Sequence, residues 1–254
     1  MMGVAGEDWA KLLPLSSHRL AADHRAGYID PVGERIDSLP FEGWVGHTFD
    51  HPAPGPEWYF DLDAPFWAGP ASLTVAYVTR LFEDPCPMLA GYSDEQLKQG
   101  FWYLLSNGLS DYMCALTDAS VPMTDRVRCV RSFVPVFKNL FAMRCTPHLS
   151  HLDEPGAGPL NLACYMWWDI IPFGVTPTDA SDRELGEAAL GAMADILSID
   201  RVACQESALH GLGHWQRRWP TEVARIIDEF LARNANARAE LLAYARSARG
   251  GCVL

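Results

Sequence analysis

The stretch from Val202 to Pro220, V-A-C-Q-E-S-A-L-H-G-L-G-H-W-Q-R-R-W-P, constrains the fold more than any other. Wound at ~100° per residue, it separates into two faces. Cys204, Ala208, Gly211, Leu212, Trp215 and Trp219 form one stripe, small at its start and large at its end. Glu206, His210, His214 and Arg217 form a ridge on the other side. Each glycine costs a helix about 1 kcal/mol relative to Ala, so Gly211 and Gly213 need a compensating gain. A missing Cβ permits close approach of a neighbour. The stretch therefore predicts a central helix, packed through its glycines, that shows a Glu/His/His/Arg ridge to whatever lies opposite. Glu206, one turn before His210, is expected to raise that imidazole's pKa.

Upstream, residues 1–69 carry a density of Pro and Gly that breaks long elements, together with aromatics such as Trp44, Phe49, Trp58 and Trp67. They predict an irregular, extended arm packed on a helical body and belonging to the same domain. From residue 70 to 254 the period is helical. Pro70 opens a helix that stops at the E-D-P-C-P run, and Ser93 with Gln96 makes a capping box for 94–107. A short helix is expected over 110–116, and a long one from Thr124 to Met143 that Pro135 should kink near Arg131. Residues 145–159 read as a loop, 161–173 as a buried helix, and 182–197 as a helix capped by Ser181. Helices over 220–232 and, capped by Asn236, up to Arg249 complete the chain. No run alternates over five residues, so little sheet is expected after residue 70. The fold class is all-α.

Four consecutive helices from 182 to 249, joined by short connections, have the anatomy of an α-solenoid. Residues 188–197 (A-A-L-G-A-M-A-D-I-L) and 207–215 (S-A-L-H-G-L-G-H-W) resemble the A-L-x-x-L-G cores of short HEAT-like repeats. The resemblance covers the last ~75 residues. It implies antiparallel helix pairs in a right-handed array and a non-catalytic scaffold that binds another protein. An immunity-type protein masking its partner is one member of that class.

Charge limits the partners. A net charge of −12 in 254 residues disfavours nucleic acid and anionic membranes, and it suits a basic protein. Seventeen of the twenty basic residues are Arg, which with abundant Ala suggests a GC-rich bacterial genome. Seven scattered Cys without C-x-x-C, and no basic-apolar leader, point to reduced thiols in the cytoplasm.

Three constellations could carry chemistry, the weakest being His47-x-x-Asp50-His51 in the N-terminal arm. His210 and His214 stand at i, i+4, the spacing that lets two imidazoles reach one metal ion, although Glu206 and His214 are ~12 Å apart along the axis and cannot share it. His148 and His151, in H-L-S-H-L-D-E, could complete the set from the loop before the buried helix. Histidines also fill space beside glycines by bonding to a neighbouring loop. The binding strip Glu206, His210, His214 and Arg217 is therefore the first expectation, without a cofactor. A metal-dependent enzyme using His210, His214, His148 and His151 is the alternative. Nucleophile elbows and phosphate loops are absent from the sequence.

Overall fold

A computed structural model of the chain describes residues 33–172 and 180–253 and is mostly helical. The expected features of residues 1–32, the connection before residue 180 and the Ser181 cap lie outside the described residues and side chains. Two dipeptide strands, β1 (Arg35–Ile36) and β2 (Phe66–Trp67), pair in parallel, Arg35 opposite Phe66 and Ile36 opposite Trp67. Between them the expected irregular arm contains a nine-residue helix, α1 (Phe41–Phe49). Pro40 precedes its first turn, where a missing N–H is harmless. Gly43 and Gly46 obscure the helical period, yet Phe41, Trp44, Val45 and Phe49 are buried on one face. Phe49 lies where a Cβ on Gly100 would stand, 2.1 Å from its ring. The segment therefore belongs to the hydrophobic core and is not laid over it.

The next elements are α2 (Ala71–Glu83), α3 (Cys86–Leu89) and α4 (Asp94–Leu105). The Ser93/Gln96 capping box is formed in both directions. A 3-10 turn, Met113–Thr117, replaces the short helix expected there. The long helix expected from Thr124 is divided into α5 (Met123–Arg131), α6 (Phe133–Val136), a π turn (Phe137–Phe141) and α7 (Ala142–Arg144). The break falls at Ser132, whose hydroxyl donates to the Cys129 carbonyl at 2.6 Å. It follows from Pro135, which has no N–H to give to the turn before it.

The buried helix is also split, into α8 (Pro159–Tyr165) and α9 (Trp167–Ile170), by Met166 at φ −81°, ψ 0°. The split sends adjacent tryptophans into separate packings. Trp167 is ringed by Phe82, Phe101, Phe133, Phe137 and Phe141, whereas Trp168 lies against Gly211. The last four helices are α10 (Ala180–Leu197), α11 (Val202–Trp215), α12 (Pro220–Arg233) and α13 (Ala239–Arg249). The last begins after Arg238, not at Asn236, and has no side-chain cap. Among the described residues no helix is long and apolar enough to cross a membrane.

α11 packs against α8, α9, α10, α12 and α13 at once. Both glycines of the G-L-G at 211–213 are contact points. A Cβ on Gly211 would stand 2.6 Å from Trp168 Cγ, and one on Gly213 would stand 2.5 Å from a Val253 methyl. With neighbours on several sides, the helix buries every residue from Ala203 to Gly213, polar and apolar alike.

Candidate metal centre

The ridge does not stand open as a strip. Glu206 and His210 are 0% and 1% exposed, and only His214 and Arg217 reach solvent. The cover comes from the 145–158 loop, from Tyr165 on α8 and from Tyr244 on α13, not from residues 40–69.

The loop is held by three buried or half-buried side chains. Asn161 Oδ1 accepts from the Thr146 amide (3.0 Å) and hydroxyl (3.2 Å), while its amide group donates to the Thr146 carbonyl at 2.9 Å. Glu154 accepts from Leu149 N at 2.9 Å and is ion-paired with Arg238. Glu206 accepts three bonds: Ser150 N and His151 N at 2.9 Å each, and His151 Nδ1 at 2.6 Å. A buried carboxylate is tolerable only when its oxygens are satisfied in this way. Glu206 therefore faces the loop, not His210. Burial, reinforced by the His214 and His151 rings, pushes the His210 imidazole down to about 3, opposite to the rise expected from Glu206.

His210 and His214 come together as their spacing requires, Nε2 to Nε2 at 3.1 Å. The third member is Asp169, on α9, with Oδ1 3.6 Å from His214 Nε2. The ligand atoms of Asp169, His210 and His214 all lie within 4.8 Å of one another. Two nitrogens bound to one ion at ~2.1 Å stand ~3.0–3.4 Å apart for tetrahedral to octahedral angles, so the histidine pair already has a ligating separation. Gly211 brings the carboxylate there. Without a Cβ, the α11 backbone lets Trp168 close in, and Asp169 follows it in sequence.

His210 Nδ1 is 2.7 Å from the Tyr244 hydroxyl, which is 3.2 Å from that of Tyr165. With Nδ1–H donating to Tyr244, Nε2 is left with its lone pair, the ligating form of a neutral imidazole. Burial keeps both phenols protonated, pushing Tyr165 up to about 12 and Tyr244 further. Two histidines and a carboxylate are a donor set that suits zinc, iron or manganese.

The loop histidines do not join this set. His151 is committed to Glu206 and lies flat on Tyr244, with centroids 3.9 Å apart. His148 packs against Gly156. Asp169, Tyr165 and Tyr244 escape the sequence reading, although a single carboxylate inside the most apolar run was a visible signal for Asp169. Known protein families, characterised proteins and solved structures offer no match to this chain.

Proposed function

We propose that the protein binds one divalent transition-metal ion through Asp169, His210 and His214 and acts as a metal-dependent enzyme. The observation that carries this reading is the convergence of three ligand atoms of the right chemistry from two helices that close packing holds together. When bound, such an ion supplies Lewis acidity and lowers the pKa of a coordinated water. The chain's own part is to hold the donors, with His210 oriented from behind by Tyr244. Metal analysis of purified protein tests it. Near-stoichiometric zinc, iron or manganese is expected in the wild type, lost in His210→Ala and Asp169→Ala. Excess metal should raise the thermal midpoint of the wild type alone. Metal-free protein that takes up none of the three ions on titration sinks the proposal.

A second reading, the protein-binding scaffold, draws on a groove of about 360 Å³ between α5, α6 and α10. Its apolar lining includes Val127, Val134 and Ala192, beside three acids, Glu184, Glu187 and Asp195, and one base, Arg131. The occupant that fits is a basic surface of another protein. The HEAT-like arrangement belongs to this reading. Its support is the packing of residues 188–197 of α10 and 207–215 of α11 within a run of four successive helices.

A further inference from the structure

Glu206 is the most enclosed charged group of the ridge, yet it is not among the three ligands. Its connections lead to the centre by another route. The carboxylate fixes the backbone of Ser150 and His151 and the His151 ring in one arrangement. That ring lies on the Tyr244 ring with 17° between the planes. Tyr244 in turn meets His210 Nδ1 at 2.7 Å, and Tyr165 closes the other side of the same imidazole with a ring contact at 4.1 Å. The order is therefore carboxylate, imidazole, phenol, imidazole, with the ligating nitrogen at the far end. Each contact is either a hydrogen bond at 2.6–2.7 Å or a face-to-face stack, so every ring has its orientation determined by the one before.

We infer that Glu206, His151 and Tyr244 form a positioning chain that orients His210 for the ion, with Tyr244 setting the nitrogen that ligates. The inference rests on the metal reading above. Glu206 acts here through other groups and touches no ion. Its loop contacts serve the centre because the element they immobilise carries the ring that packs on Tyr244. Arg128, whose ion pair with Glu83 joins α5 to α2, lies outside both the loop and the chain of contacts and provides a control.

The test uses Co(II) titrated into metal-free full-length protein at a temperature where every variant is folded. Affinity and the visible ligand-field spectrum are both read. Tyr244→Phe keeps the ring that stacks on His151 and removes only the hydroxyl. It is expected to weaken Co(II) binding by ~10–100-fold, the usual effect of losing an outer-shell partner, and to alter the spectrum. Glu206→Gln is expected to act in the same direction, and Arg128→Met to leave both readings at wild-type values. A merely structural role for the chain would lower melting temperatures but leave Co(II) affinity and spectrum unmoved. If Tyr244→Phe and Glu206→Gln both bind Co(II) as the wild type does, the positioning chain is refuted and the metal reading stands. If the wild type binds no Co(II), the metal reading falls and takes this inference with it.

Discussion

At Gly211 two effects of opposite sign meet on one carbon. Helix propensity favours Gly211→Ala by about 1 kcal/mol. The added methyl would, however, stand 2.6–2.8 Å from Cγ, Cβ and Cδ1 of Trp168, the base of a buried side chain that cannot swing aside. Overpacking of that kind costs about 1–3 kcal/mol, so the steric effect wins. Gly211→Ala should lower the thermal midpoint and, by displacing Asp169, weaken metal uptake. Gly191 on α10 is the contrast: it is exposed, and a Cβ there would meet nothing within 4 Å. Gly191→Ala should stabilise by up to about 1 kcal/mol. Melting the two variants side by side decides the matter, and a shift of the same sign in both would remove close approach as the explanation.

Between elements, the contact with the clearest pH signature joins the loop to the start of α13. The Arg238 guanidinium, helped by the Leu149 amide, holds the Glu154 carboxyl down at about 2. Its folded pKa lies below the unfolded value, so the unfolded chain binds more protons at acid pH. The stabilisation is complete above the ordinary carboxylate range near pH 4.5 and is lost as pH falls towards 2. Arg238→Met should therefore lower the midpoint at pH 7, and the gap from wild type should close progressively below pH 4.5. A gap independent of pH would assign Arg238 a packing role only. Elements with local punctuation were legible in the sequence: α2 after Pro70, α4 behind Ser93, α12 from Pro220. α1 was not, because its glycines break the apolar period and its burial is decided by Gly100, far away in sequence. The centre was half legible for the same reason. The spacing of His210 and His214 is local information, whereas Asp169 and Tyr244 arrive through packing between helices.

Over the whole molecule, the charge of −12 makes a basic partner attractive at long range, within a Debye length of ~8–10 Å at physiological salt. The α5/α6/α10 groove, with three acids to the single base Arg131, is one place where such a partner would gain from it. Glu187 and Asp195 have no pairing role that folding depends on among the contacts described, so reversing both to Lys should change stability by no more than ~0.5 kcal/mol. A native-host partner that binds this groove should be lost from the double variant and weakened by salt. Undiminished binding by the double variant would dismiss the groove as a contact face.

The contact between Glu206 and the loop also bears on how this sequence can drift through inheritance. Two of the three donors that Glu206 satisfies are peptide N–H groups, at Ser150 and His151. No substitution at position 150 other than proline removes its N–H, and the His151 N–H calls for the acceptor in any case. An apolar residue at 206 would strand buried donors at about 1–3 kcal/mol each, whatever side chains the loop carried. Position 150 can change its side chain without altering that demand, while position 206 is held by a demand written into the backbone. Only a lineage that rebuilds the course of the loop can give up the carboxylate.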